Sequence, residues 1–148
     1  MARDVTIGEA ARQSGVKVTT IRFYEDRGLL KAPPRSEGNQ RLYSDRDVAR
    51  LRFIRHARDL GFDMAAIGEL LDLAAHPEAP CVDADRLARA RLDEVRRRIA
   101  ALRALEGELE RMVAACEGGT AGQCAVIESL AEHAHCRADH DRAALVQQ

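Results

Sequence analysis

From about Val82 to Cys116 the chain contains no proline and a single glycine, Gly107. Within this stretch Leu92, Val95, Ile99, Leu102, Leu109 and Val113 recur at three- and four-residue spacing, with Glu106 in one heptad position and Leu105 beside it. Apolar residues at that period line one face of an α-helix. The spacing predicts one long amphipathic helix, and that helix constrains the rest of the fold. Alone in water it leaves its apolar stripe wet. Two arrangements cover the stripe: a hairpin within the chain, or a second copy of the same helix. No other segment of the 148 residues has matching length, which favours the second copy.

The formal net charge is −1, but it is unevenly placed. Residues 1–60 hold 13 basic and 8 acidic side chains, and residues 61–148 hold 10 and 16. A basic part joined to an acidic part implies two surfaces with different partners. The five aromatics, Phe23, Tyr24, Tyr43, Phe53 and Phe62, all fall in the first 62 residues. Phe23, Phe53 and Phe62 are assigned to a core there. No apolar run approaches the ~20 residues that span a bilayer, and the opening MARDVTIGEA has no apolar signal segment. The expectation is a cytoplasmic protein with no membrane partner. In a reducing compartment Cys81, Cys116, Cys124 and Cys136 are read as free thiols or metal ligands in preference to structural disulfides.

Local signals divide the basic part into short helices. Thr6 followed by Glu9 is a capping-box pattern, and Gly15 is a natural turn. A second helix is expected from about Thr19 to Arg27, stopping at Gly28, and the two form a helix-turn-helix pattern. Pro33, Pro34 and Glu37-Gly-Asn39 exclude helix, and the alternation Arg41-Leu-Tyr43 predicts a small hairpin or wing. Ser44, with Asp47 three residues on, caps a third helix carrying Val48, Leu51, Ile54 and Leu60, which Gly61 ends. Asp63 caps a fourth, with Ile67, Leu70, Leu71 and Leu73 on one side, and His76-Pro-Glu-Ala-Pro80 breaks the chain. After the long helix come a Gly-rich loop between Cys116 and Cys124 and a short helix from Ala125 to about His133. The expected divisions are a helix-turn-helix head over 1–75, a linker over 76–81, the long helix over 82–116, a cysteine-flanked loop and short helix over 117–136, and a flexible tail over 137–148.

Thr20-Ile-Arg-Phe-Tyr-Glu-Asp-Arg-Gly-Leu-Leu30, followed by Pro34-Arg-Ser and Gly38-Asn-Gln-Arg-Leu-Tyr43, resembles the MerR family of transcriptional regulators. The resemblance covers about residues 5–75 at motif level, and the long helix and cysteine loop extend it to about residue 130. The cysteines resemble those of the metal-sensing branch, and Gly38–Tyr43 is most similar to its cadmium/lead (CadR/PbrR-like) members. The implied fold is mainly α: a winged helix-turn-helix head, a long antiparallel coiled-coil dimerisation helix, and a short C-terminal metal-binding loop and helix. The implied DNA contacts are Arg22 and Tyr24 on the second helix, with Lys17 and Thr20 at its start. Arg35 and Arg41 lie on the wing, where basic side chains meet backbone or minor groove, and Arg55 completes a phosphate clamp. Tyr43 is placed in the same set, with its role left open.

Thiolates bind soft and borderline cations. Cys116 and Cys124 are eight apart around a Gly-rich loop, so one chain can bring both to one ion. Cys81 lies 35 residues before Cys116, which is about 50 Å along a continuous helix at ~1.5 Å per residue. Those two thiols of one chain cannot share an ion. Antiparallel pairing of two long helices sets Cys81 of one subunit beside Cys116 and Cys124 of the other, giving two intersubunit sites per dimer. The resemblance implies the same arrangement. Three thiolates suit a divalent ion: lead or mercury in trigonal geometry, zinc or cadmium in tetrahedral geometry with one added ligand. The family's copper, silver and gold sensors resemble one another in having serine at the Cys81 position, which favours a divalent effector. The eight-residue cysteine spacing also resembles the copper sensors. His133, His135 and Cys136, with His140 beyond, form a second candidate metal cluster, whereas His56 reads as structural and His76 as a helix-end residue.

The resemblance implies a mechanism without catalysis. Apo and metal-bound homodimers both hold a promoter whose spacer is too long for RNA polymerase, and metal binding drives a distortion of the DNA that realigns it. The targets are metal efflux or resistance genes. Two alternatives stay open: a copper(I)-type sensor of the same family, and a thiol redox sensor in which Cys116 and Cys124 form a disulfide. A small-molecule binder of the family needs more than the ~30 residues that follow the long helix.

Overall fold

Thr6 stands in extended backbone and accepts a hydrogen bond from the Glu9 N–H at 3.4 Å, which starts helix α1 (Ile7–Ser14). Only half of the capping box forms, because the Glu9 carboxylate turns to Arg12 and Gln13 instead of the cap. Gly15 ends α1 in the left-handed region, where its N–H reaches Ala11 O at 2.9 Å. Helix α2 (Val18–Asp26) follows α1 after three residues and closes at Arg27. These features come from a computed structural model, which describes residues 4–135.

The wing is tied down at both ends. Arg35 and Arg41 form an antiparallel bridge across a tight turn in which Asn39 takes a positive φ. Strand β2 (Leu42–Tyr43) then pairs antiparallel with strand β1 (Val5–Thr6). Each strand has two residues, too few to show a period in sequence. The Ser44 hydroxyl and the Asp47 carboxylate exchange hydrogen bonds with each other's backbone, a complete capping box that opens α3 (Asp45–Asp59). Loss of such a cap costs about 1 kcal/mol. Asp63 caps α4 (Met64–Ala74) by accepting from Ala66 N–H at 2.8 Å.

The core of this first unit, Met1–Leu87, gathers Ala10, Ile21, Tyr24, Leu30, Tyr43, Val48, Leu51, Ile54, Ile67 and Leu71 around α1–α4. On α3 the inward positions are 48, 51, 54 and 57. Phe53 falls between them and is 38% exposed, and Phe23 on α2 is 43% exposed with Arg27 over its ring. The assignment of Phe23 and Phe53 to the core is therefore corrected: helical phase turns both outward, and size alone does not bury them. Leu60, expected on the inward side of α3, is also exposed. Phe62 does pack against the core.

Helix α5 (Val82–Ala114) is continuous over 33 residues. Its first turn belongs to the first unit, where Arg86 bridges to Glu69 of α4 at 3.0 Å and to Asp83 at 3.5 Å. The second unit, Ala88–Gln148, holds the rest of α5, a 3₁₀ turn (Ala121–Gln123) and α6 (Ala125–Ala131), with a second 3₁₀ turn at His133–His135. On α5 the side chains of Leu92, Ile99, Leu102, Leu109 and Val113 are between 42% and 71% exposed. An adjoining face is covered, with Glu108 and Met112 buried and Arg111 bound twice to the Glu108 carboxylate. Among the described residues no helix is long and apolar enough to cross a membrane.

Candidate nucleic-acid interface and metal centre

Lys17 stands at the N-cap of α2 and is exposed, as is Arg22 one turn further on, while Thr20 is half-buried. This places two basic groups on the outer surface of the second helix of a helix-turn-helix, the helix that such motifs lay in the major groove. Arg35 is exposed on the wing, where Asn39 Oδ1 accepts from its Nη1 at 2.8 Å. Asn39 thus positions Arg35, and the left-handed backbone at Asn39 makes the turn that brings them together.

Arg41 is held differently. Its Nε lies 3.5 Å from Glu25 Oε2, and the Glu25 side chain is largely buried. Tyr43 is 0% exposed, and its hydroxyl donates to Glu25 Oε1 at 2.6 Å. Burial, then the Glu25 hydrogen bond and charge, push the Tyr43 phenol well above its ordinary range, while Arg41 and Arg22 pull it down. The placement of Tyr43 among the DNA contacts is corrected: the head's own side chains enclose it. Tyr24 is buried too, and supports α2 from within the core. Glu25 was missed in sequence because its partners lie 16 and 18 residues away. It joins the second helix to the wing through Tyr43 and Arg41.

Arg55 is exposed on α3, and its Nη1 donates to Ser14 O at 3.4 Å. His56 is exposed on the same helix.

The thiols are distributed as follows. Cys81 is exposed immediately before α5, and its carbonyl accepts from Asp85 N–H at 2.9 Å. Cys116 is exposed two residues beyond the end of α5, and Cys124 is half-buried at the N-cap of α6. Gly118 and Gly119 both take positive φ between them, which L side chains adopt only with strain. The double glycine lies in the loop that joins Cys116 to Cys124. Backbone N–H groups of Ile127 and Val126 favour the Cys124 thiolate, as does Cys116, and hold this thiol below the usual cysteine range against partial burial and Glu128. Two sulfur donors with one biased to thiolate are suited to a soft or borderline cation. Among the described residues no three His, Cys, Asp or Glu side chains gather in a metal-binding group within the chain. Of the second candidate cluster, His133 is exposed in the last 3₁₀ turn. The His135 side chain, Cys136 and His140 lie outside what the structure describes.

A helix-turn-helix head with a paired wing, followed by a long helix and a two-thiol loop, is the architecture of a DNA-binding regulator. Comparison with known proteins agrees. Residues 5–74 match the family described as MerR HTH family regulatory protein, and residues 48–112 match MerR, DNA binding. The chain is 40% identical over 131 residues to the HTH-type transcriptional regulator ZntR of Escherichia coli strain K12, covering 86% of this chain and 93% of ZntR. It is likewise 40% identical over 128 residues to the mercuric resistance operon regulatory protein of Pseudomonas fluorescens, covering 86% of this chain and 88% of that protein. The crystal structure of the transcription regulator PbrR691 from Ralstonia metallidurans CH34 in complex with lead(II) aligns with a TM-score of 0.73 and 40% identity, covering 85% of this chain and 98% of PbrR691. The chain belongs to the MerR family of helix-turn-helix transcriptional regulators. Members are regulators and not enzymes.

Proposed function

We propose that this protein is a cytoplasmic, homodimeric metal sensor that binds promoter DNA and activates metal efflux or resistance genes when a divalent soft ion binds. The observation that carries the reading is the Cys116–Cys124 thiol pair at the start of α6, with the Cys124 thiolate favoured. Relatives named for mercuric resistance and for lead(II) binding support a metal effector. Cys116 and Cys124 of one subunit and Cys81 of the partner subunit hold the ion, supplying three thiolates to cadmium, lead, zinc or mercury. The exposed α5 stripe of Leu92, Ile99, Leu102, Leu109 and Val113 pairs with its copy in the second subunit. Lys17, Thr20, Arg22, Arg35, Arg41 and Arg55 meet the duplex, and distortion of the DNA makes the promoter productive for RNA polymerase.

The same two thiols suit linear copper(I), or a disulfide formed under peroxide, and one experiment separates all three readings. The reduced dimer is titrated anaerobically with zinc, cadmium, lead, mercury and copper(I), and in a parallel metal-free arm with peroxide, each followed by run-off transcription from its promoter. A divalent ion is expected to switch transcription on, and Cys81→Ser to abolish that response while DNA binding persists. Response to copper(I) alone selects the copper sensor, and response to peroxide alone selects the redox sensor. No response to any metal overturns the proposal.

A further inference from the structure

A cleft of about 400 Å³ opens between the end of α1 and the middle of α3, and its side-chain lining is Arg12, Gln13, Arg52, Arg55, His56 and Asp59. Two guanidinium groups are pinned in it. Arg52 Nε donates to Gln13 O at 3.1 Å, and Arg55 Nη1 donates to Ser14 O at 3.4 Å. The last carbonyls of a helix lack partners within it and carry the negative end of its dipole, which explains why cations settle there. Each of these bonds engages one nitrogen of a group that presents five N–H donors in a rigid fork. Pinning costs the fork its rotational freedom once, on folding, and leaves it aimed. Gly15 is required for this: a Cβ there would overlap Arg55 Nη1. Arg12 is engaged by Glu9, and the one acidic lining group, Asp59, meets Arg55 only at 3.9 Å between exposed side chains. The balance of the cleft is cationic. It also lies against Gln13–Gly15, the segment that leads directly into Lys17 and the helix assigned to the major groove. In helix-turn-helix complexes the first helix crosses the DNA backbone.

We infer that Arg52 and Arg55 form a preorganised phosphodiester clamp at the end of α1, which grips the DNA backbone beside the groove that α2 enters. The inference rests on the DNA-binding reading and extends it to Arg52, which has no part in that reading. A phosphate contact fixes register without reading bases, so its loss weakens all sequences alike.

The test uses the full-length dimer and two labelled duplexes: one selected by the wild type from a random pool, and one of mixed sequence. Affinity is measured by fluorescence anisotropy across a salt series. Arg52→Gln and Arg55→Gln are each expected to weaken both duplexes by the same factor and to reduce the salt slope by about 1. Arg52→Lys and Arg55→Lys are expected to keep the slope and lose part of the affinity, since lysine lacks the fork. A slope unchanged in both Gln variants overturns the inference, and a lowered melting temperature with unchanged slope marks the arginines as helix caps only. Inorganic phosphate in place of chloride is the second arm. Phosphate that stabilises the wild type but not the Gln variants, with the DNA slope unchanged, assigns the cleft to a free anion and also overturns the clamp. Arg22→Ala separates the two levels. If it loses affinity while the Gln variants keep their slope, only the clamp fails; if the wild type binds no duplex, the DNA-binding reading fails.

Discussion

The head and the arm of this protein use apolar side chains in opposite ways. In the head, Ile21, Leu30, Tyr43, Leu51, Ile54 and Ile67 are fully enclosed by α1–α4 and the wing. On α5, Leu92, Ile99, Leu102, Leu109 and Val113 lie open along one side. The head meets its own packing needs within one chain, so its surface is left free for charge. The arm does not, and its bare stripe is the surface on which the proposed second copy would pack. A sensor of this type gains from that division. In the proposed dimer the reading surface is fixed locally, and the responsive part would be shared between subunits.

Breaking the arm is expected to have the largest effect. Ile99→Glu combined with Leu102→Glu should give a monomer in sedimentation equilibrium. Affinity for a two-half-site duplex should fall by about 10²- to 10⁴-fold, as two linked heads become one. Circular dichroism of the head should change little. A dimer that survives both substitutions breaks the contrast between the two regions. Leu51→Ala tests the other side of it. The buried cavity should cost about 2–5 kcal/mol in denaturant unfolding, with dimerisation retained wherever the head stays folded.

A smaller effect sharpens the role of the Tyr43–Glu25–Arg41 group. The folded head favours the neutral phenol, so this stability is fully present below the ordinary tyrosine pKa of about 10 and is lost as pH rises above it. Tyr43→Phe should remove that alkaline limb from a plot of melting temperature against pH. It should also weaken DNA binding modestly, because Glu25 loses one of the two groups that lock the wing to α2. An alkaline limb unchanged in the variant assigns it to another group. The smallest effect belongs to Ser44→Ala, which should cost about 1 kcal/mol through the α3 cap and leave affinity for metal unchanged.

Much of this organisation is legible in the sequence because short-range chemistry writes it. Thr6, Gly15, Ser44, Gly61 and Asp63 mark helix ends through bonds to neighbours within four residues. The stripe on α5 is a period, and the thiol pair is a spacing around a double glycine. Contacts across the chain are not legible in this way. The β1–β2 pair is two residues long on each side. Glu25 finds Tyr43 and Arg41 only when the wing folds back, and Arg52 finds Gln13 across 39 residues. Phe23 and Phe53 mislead for a different reason. Aromatic character suggests burial, but phase against Ile21 and Leu51 decides the face, and both rings fall outside it.

The central claim is that one ion is held by Cys116 and Cys124 of one subunit and Cys81 of the other. It is tested most directly by mixing two defective chains. Cys81→Ser homodimers and Cys116→Ser/Cys124→Ser homodimers should both lose tight anaerobic cadmium binding. A mixed dimer of the two, purified by different tags, contains one complete set of three thiols and one empty set. It should bind half as much cadmium as the wild type, with wild-type affinity and the thiolate–metal absorption band at half intensity. A mixed dimer that binds no better than its parents would contradict the shared site, as would Cys81→Ser homodimers that bind like the wild type.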